Sequence, residues 1–501
     1  MADAWPRRAV VDIGSNSVRL VIFSGPPRVP VTIVNEKALC GLGDRHPETG
    51  NLREEAVDLA LATLRRFVLI IEAERPESLD VFATAAVRDA PNGRGFLDDI
   101  REIGLDPRLI SGDEESRLAG LGILCSAPEI MREGLTALGG DLGGGSLELS
   151  KLSGPVGTID EVVSLPIGSL RLTMEYAECR DDAKTFVDQQ FANLPWLSTL
   201  QQTELFVVGG AWRAIARVGM WLAKHPVPIL DHYKMPSDQV FEVCRFVEDA
   251  PPEELGKIGG VQRKRVPTLP MASIVLRRLL DVSGARSVTV SSCGVREGLL
   301  FDKLPLRLRT EEPLFVLAKD LAQRQSGGRL PSVEAVSAFT DSLFTDSPSE
   351  LRLRRAAAMM IRMANIAHPD QRAEHVAATV MASPFLGIDH VERALLALMM
   401  AVRFNSSVNK AANVIPISVL AEDQCTYAVQ VGRAHRLAST LRTPIYDQNS
   451  GFRIEKASDR ITLHVSPRVN DLITDQAVKD LDRLAEAFSL PAETIHSEAS
   501  S

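Results

Sequence analysis

No CxxC pair occurs in the sequence. Its six cysteines (Cys40, Cys125, Cys179, Cys244, Cys293, Cys425) are scattered through 501 residues, which excludes a disulfide framework and a zinc ribbon and fits a reducing cytoplasm. An apolar signal core is also missing. The start, "MADAWPRRAVVDIG", passes from two arginines straight into a strand pattern, and the longest apolar run, residues 394–402, is far short of a membrane span. The expectation is a cytoplasmic protein with no membrane span. The third absence is a basic excess. A formal charge of −9 and a pI near 5.6 exclude a protein that holds nucleic acid by general electrostatics. A polyanionic partner would need a local basic groove. Candidates are "VQRKR" (261–265), Arg277 with Arg278, and "LRLRR" (351–355), each of which also reads as a solvated helix face or loop.

What is present is enough apolar material for several cores. Hydrophobic residues make up 45%, and the length suggests three or four domains at about 100–200 residues each. "AVVDIGSNSVRLVIF" (9–23) is an apolar run, a small polar turn and an alternating run, the pattern of a β-hairpin; "GGDLGGGSLELSKL" (139–152) repeats it. In both, an Asp stands two residues before the first turn glycine, which reads as an internal duplication. Each copy is followed by strand–loop–helix patterns: residues 78–93 and 107–124 after the first, 204–219 and 287–301 after the second. Two α/β lobes are therefore predicted, covering 1–130 and 131–310. From residue 314 to about 414 the periodicity is helical, with a loop at "QSGGRLPS" (325–332), so a helical domain is assigned to 311–445. A hairpin over 451–466 and a helix over about 475–488 make a small α+β domain, 446–501, whose last residues, 493–501, are expected to fray.

Three consecutive glycines, Gly143 to Gly145, between an Asp and a Glu call for a geometric reason, since glycine costs about 0.5–1 kcal/mol of backbone entropy relative to alanine in regular structure. Two such turns facing one cleft would present bare backbone N–H groups to an anion. "SGDEESRL" (111–118) fits a capping box, with Ser111 as N-cap and Glu114 reaching back to its amide, which leaves Glu115 unassigned to the cap.

Seven stretches in order, "DIGSNSVRL" (12–20), "TAAVRDAPN" (84–92), "SGDEESRL" (111–118), "DLGGGSLEL" (141–149), "LPIGSLRL" (165–172), "VVGGAWRAIA" (207–216) and "CGVREGLL" (293–300), resemble the exopolyphosphatase and guanosine pentaphosphate phosphohydrolase family of the actin, heat-shock chaperone and sugar-kinase superfamily. The resemblance implies two ribonuclease-H-like (actin-like) lobes and a C-terminal helical HD-like domain, whose expected work is to bind the distal part of a long substrate and to form a homodimer. It implies removal of the terminal phosphate of inorganic polyphosphate, or of the 5′ phosphate of guanosine pentaphosphate (pppGpp). Glu115 is then the general base for the attacking water, and Arg88 a guanidinium for transition-state charge. A helix N-terminus would lower the pKa of Glu115, and nearby phosphate would raise it. Ser15, Asn16, Ser17, Gly143, Gly144, Gly145 and Ser146 supply amide and hydroxyl donors to phosphate, and Gly168 with Ser169 adds a contact. Asp141, Glu148 and Asp12 are placed for Mg²⁺ (or Mn²⁺) shared with phosphate oxygens, Glu148 alternatively being a second catalytic carboxylate. K⁺ is expected to stimulate. Gly209 and Gly210 open a helix where relatives hold adenosine, or simply allow close packing. His368, His375 and His390 lie in the HD-like region without a His-Asp dipeptide, which argues against a metal there. A sugar or acetate kinase, and a non-catalytic polyphosphate or alarmone sensor, are the competing readings. The first is disfavoured by the Glu115 motif, the second by intact acids facing a polyanion.

Overall fold

The computed structural model describes residues 5–154, 157–176, 178–326 and 329–496. They form two compact units, one ending at Glu311 and the other beginning at Glu312.

The first unit holds two sheets. Strands β1 (Arg8–Ile13), β2 (Val18–Ser24), β3 (Val31–Ala38), β4 (Ser78–Ala83) and β5 (Arg108–Leu109) lie in the order β3-β2-β1-β4-β5. The first three pair antiparallel, and β4 and β5 join in parallel. β1 is buried on both faces, which is why Ala9, Val10 and Val11 run without alternation. Helix α1 (Glu54–Glu74) covers one face with Ala56, Ala60, Leu64 and Phe67, a single stripe at helical spacing. The second sheet repeats the plan. β6 (Thr136–Leu142), β7 (Leu147–Ser153), β8 (Thr158–Leu165), β9 (Glu204–Val208), β10 (Lys234–Pro236) and β11 (Ser287–Val290) take the order β8-β7-β6-β9-β11-β10. Apart from the added edge strand β10, this is the order of the first sheet, so both lobes are ribonuclease-H-like and the duplication extends to topology.

One helix leaves its own lobe. α2 (Gly112–Ser126) follows β5, yet it packs on β6, β7 and β8 of the second sheet, and Ser116 Oγ donates to the Val163 carbonyl at 2.8 Å. Helix α6 (Val295–Asp302) crosses it so closely that a Cβ on Gly122 would stand 2.2 Å from the Gly294 carbonyl oxygen, and one on Gly298 1.8 Å from that of Leu118. Three further helices complete the set used below: α3 (Ser169–Glu175), α4 (Gly210–Leu222) and α5 (Leu269–Ser283).

The second unit is helical, with a three-stranded sheet. Its helices include α7 (Pro313–Gln325), α8 (Val333–Thr340), α9 (Pro348–Met359), α10 (Arg372–Ala382), α11 (His390–Arg403), α12 (Glu422–Leu441) and α13 (Asp475–Ala487). Of the loop expected at 325–332, Gly327 and Gly328 lie outside the described residues. The sheet, β12 (Phe452–Lys456), β13 (Ile461–Val465) and β14 (Ala492–His496), shares one core with α8 and α12. The expectation of a frayed end is corrected here. Residues 493–496 pair in parallel with β13, because Ile461 to Val465 would otherwise leave an edge unpaired; residues 497–501 lie outside the described residues. The Asp389–His390 pair is a helix cap: Asp389 accepts from the Glu392 amide at 2.8 Å and Glu392 answers in a capping box. No helix among the described residues is long and apolar enough to cross a membrane.

Candidate active site

The two glycine turns come together in the first unit. Pairing of Ile13 with Val18 and of Leu142 with Leu147 leaves four-residue turns, 14–17 and 143–146, closed by the same bond: Gly14 N–H to Ser17 O at 3.1 Å, Gly143 N–H to Ser146 O at 3.0 Å. Both turns are braced from behind. Gly43 and Gly41 donate to the Ser15 and Asn16 carbonyls; Ser169, Leu170 and Arg171, at the start of α3, donate to those of Gly143 and Gly144. With their carbonyls occupied, Gly144, Gly145 and Ser146 turn amides toward the cleft that meet no acceptor among the described residues. None of Gly143, Gly144 and Gly145 has positive φ. The need for glycine is one of approach: a Cβ on Gly145 would stand 2.8 Å from Ser15 Oγ of the opposite turn.

The turns line a cleft of about 230 Å³ together with Asp12, Glu115, Asp141 and Glu148. Asp141 and Glu148 are cross-strand partners in the second hairpin, so they leave the sheet side by side. Burial raises Asp141 to about 6, against the opposing pull of Arg213. Burial, and then the Asp141 charge, raise Glu148 to about 7, although Ser146 and Ser164 hydroxyls favour its ionised form. Glu115, in the first turn of α2, is pushed well above the carboxylate range by burial and by Glu148, with Arg88 opposing at 3.3 Å. Asp12 is raised by burial and held down by Arg296, 3.7 Å away. The predicted capping box is only half formed. Ser111 Oγ accepts from the Glu114 amide, but the Glu114 carboxylate turns away to Arg108 at 2.6 Å, because the stronger charged partner wins it.

The cleft is also cationic. Arg19, Lys37, Arg213, Lys264, Arg265 and Arg296 all line the cleft. Burial and the neighbouring Arg265 and Arg19 lower Lys37 to about 8; burial and Arg296 lower Arg19 to about 10. Such mutual destabilisation of like charges is relieved by a polyanion. Of "VQRKR", Lys264 and Arg265 line the cleft. Arg277 is paired with Glu248 and Arg278 with Asp188, while Arg352 and Arg354 are buried against Glu312, Glu392, Asp341 and Asp346.

Among the predicted site residues, Ser15, Asn16, Ser17, Gly143, Gly144, Gly145, Ser146 and Ser169 line the cleft with the four acids. Two do not. Arg88 lies behind Glu115, bonded to it and to the Ile110 carbonyl, and Gly168 backs the second turn, where a Cβ would meet the Gly145 and Ser146 backbone at 2.3 Å. Gly210 lies in the cleft under the Arg265 guanidinium, which a Cβ would collide with. Arg19, Arg213 and Arg296 stand inside the quoted motifs without having been assigned; their clustering is a tertiary property. One or two carboxylates with water and phosphate oxygens suit Mg²⁺, and Asp141 with Glu148, or Asp12, offer that donor set. Among the described residues no three Asp, Glu, His or Cys side chains enclose an ion by themselves.

Residues 335–486 match the exopolyphosphatase C-terminal family. The chain is 27% identical over 316 residues to exopolyphosphatase 1 of Mycobacterium tuberculosis, covering 60% of this chain and 88% of that protein. It is 26% identical over 308 residues to the bifunctional 3-dehydroquinate synthase/phosphatase of Fusobacterium nucleatum, 57% of this chain and 44% of that one. Among solved structures, an exopolyphosphatase from Cytophaga hutchinsonii superposes with a TM-score of 0.54 at 25% identity, over 60% of this chain and 99% of its own. An Aquifex aeolicus Ppx/GppA family member does so with a TM-score of 0.51 at 25% identity, over 60% and 97%. Residues 21–307, which carry the cleft lining other than Asp12 to Arg19, match the Ppx/GppA phosphatase family, and the chain belongs to that family.

Proposed function

We propose that the chain is an exopolyphosphatase, hydrolysing the terminal phosphoanhydride of inorganic polyphosphate to release orthophosphate. The observation that carries this reading is the run of cations beyond the acids. Arg19, Lys37, Arg213 and Arg265 are shared between the cleft and an adjoining depression of about 360 Å³, so positive charge continues for further phosphates of a chain. In this scheme the amides of Gly144, Gly145 and Ser146 hold oxygens of the terminal phosphate, and Glu115 takes a proton from the attacking water. The new P–O bond forms as the anhydride P–O bond breaks, leaving a chain one phosphate shorter. The raised pKa of Glu115 makes it a stronger base than a free carboxylate. Mg²⁺ held by Asp141 and Glu148 would supply charge neutralisation on the phosphates, with K⁺ stimulating.

A second reading, pppGpp 5′-phosphohydrolase, is favoured by one feature: Ala214 and Leu230 give the adjoining depression an apolar side next to Gly210, suited to a purine. Orthophosphate release from long-chain polyphosphate and from pppGpp, with Mg²⁺ and K⁺, decides between them. Glu115→Gln is expected to bind polyphosphate and to be nearly inactive. Binding of both compounds by the wild-type protein without release of phosphate from either would replace the hydrolase by a sensor.

A further inference from the structure

The two turns are braced differently. The first is held by backbone amides of its own lobe; the second also uses a side chain. Arg171 Nε donates to the Gly145 carbonyl at 3.0 Å, and its Nη2 donates to Asp89 Oδ2 at 2.9 Å. Asp89 belongs to the other lobe. Its second oxygen lies 3.6 Å from Arg88 Nε, and Arg88 Nη1 lies 3.3 Å from Glu115 Oε2. One ionic chain thus runs from the glycine turn of the second lobe, through Arg171, Asp89 and Arg88, to the carboxylate of Glu115.

A peptide group is planar, with its carbonyl and the following N–H pointing in opposite directions. Pinning the Gly145 carbonyl from behind therefore aims the Ser146 N–H into the cleft. Arg171 suits this task because its planar fork reaches a carbonyl and a carboxylate at once, from different nitrogens. Neither Arg171 nor Asp89 lines the cleft, and both are part-exposed, where an ion pair adds little stability. What the pair contributes is geometry.

We propose that Arg171 is a positioning residue for phosphoryl transfer, aiming the Ser146 amide and, through Asp89, tying the second lobe's turn to Arg88 and Glu115. The substrate in this inference rests on the exopolyphosphatase reading. Amides that follow charge developing on the transferred phosphoryl act mainly in the transition state, whereas a long chain is held in the ground state by the cationic wall. Loss of Arg171 should therefore lower kcat and leave KM nearly unchanged.

The test is steady-state hydrolysis of long-chain polyphosphate by Arg171→Leu, Arg171→Lys, Asp89→Asn and the Leu/Asn double variant, with melting temperatures and orthophosphate binding by calorimetry. For Arg171→Leu, kcat is expected to fall by about tenfold to a hundredfold, less than the ~10²–10³ of deleting a donor outright, with KM within about threefold. Added guanidinium restores part of the rate, Lys does not, and the double variant is no worse than Arg171→Leu alone. A folded Arg171→Leu protein with wild-type kcat, a loss confined to KM, or full recovery by Lys overturns the proposal. Should Arg171→Leu fail to fold, Arg171→Lys and Asp89→Asn decide it by the same kcat criterion. Orthophosphate binding separates the two levels. A wild-type protein that hydrolyses no polyphosphate but loses orthophosphate affinity on Arg171→Leu keeps the positioning role and discards the substrate. Hydrolysis by the wild type with unchanged variants does the reverse.

Discussion

Gly168→Ala is the sharpest single perturbation of the second glycine turn. Gly168 has φ −63° and ψ 149°, a conformation open to any residue, so alanine brings no backbone strain. It brings a methyl group. That Cβ would lie 2.3 Å from the Gly145 carbonyl carbon and the Ser146 nitrogen, where ordinary contact begins near 3.4 Å, so the turn must retreat by about an ångström. A displacement of ~1 Å at a reacting centre costs roughly 10²-fold, and overpacking costs about 1–3 kcal/mol of stability. Orthophosphate release should thus drop about a hundredfold while the melting temperature falls by only a few degrees. Gly43→Ala is the graded companion. Its Cβ would meet Ser15 Cβ at 3.0 Å, a shortfall of a few tenths, and the expected loss is smaller. Gly95→Ala meets nothing within 4 Å on an exposed helical turn and should leave both quantities unchanged or stability slightly raised. If Gly168→Ala stays folded with kcat/KM within about threefold of wild type, the turn is not positioned by this contact, and the account of the brace fails.

Three further outcomes follow from charge. Lys37, lowered to about 8 by burial and neighbouring cations, attracts an anion only when protonated, so kcat/KM for polyphosphate should decline as pH rises past about 8, and Lys37→Met should show a lower but flat profile there. Asp141 at about 6 and Glu148 at about 7 must lose protons to ligate a cation, so Mg²⁺ affinity should rise between pH 6 and 7.5 with proton release, visible as calorimetric heats that depend on buffer; pH-independent binding refutes it. His232, buried between Asp231 and Glu129, has its pKa raised well above the usual value: burial opposes charging, and the two carboxylates outweigh it. Its contribution is fully present below its unfolded value of about 6.5 and is lost as pH climbs through the raised folded value. The stability gap between wild type and His232→Asn should accordingly shrink from pH 6 to pH 10 in urea melts, and a constant gap would contradict the pairing.

The hairpins and their turns were legible because a period of two, broken by Gly-rich turns at matching spacing, has few other solutions. Asp12, Asp141 and Glu148 were legible for the same reason, being tied to those turns, whereas Glu115 stands on a helix and was singled out by the resemblance of its motif. The cationic wall was not. Arg19 is a strand residue, Arg213 an α-helix residue and Lys264 part of a short 3-10 helix, and an overall charge of −9 hides six cations gathered by folding. "LRLRR" misled in the other direction: Arg352 and Arg354 are buried in carboxylate pairs supplied by residues up to 40 positions away. Helix α2 carried no amphipathic stripe to say which sheet it covers, since it is enclosed on both sides; its glycines, Gly120 and Gly122, were the available signal of close packing. Arg171 was quoted within a motif, but its partner Asp89 lies 82 residues earlier in another lobe, beyond any local pattern.

Duplication and divergence together give the cleft its direction. In the first hairpin Asp12 stands opposite Arg19; at the same register in the second, Asp141 stands opposite Glu148. One copy has kept an acid beside a cation, and the other has two acids. Were both hairpins alike, a phosphate chain could bind in either sense. On the exopolyphosphatase reading, with a cation on one side and paired carboxylates on the other, a terminus that brings its own divalent ion is expected at the second hairpin, with the rest of the chain toward Arg19 and Lys37. On the exopolyphosphatase reading, Arg19→Gln should then raise KM for long chains by more than it does for tripolyphosphate, at nearly constant kcat, because the lost contact is to phosphates that do not react. An equal effect on both lengths would place Arg19 on the reacting phosphate and remove the asymmetry from the account.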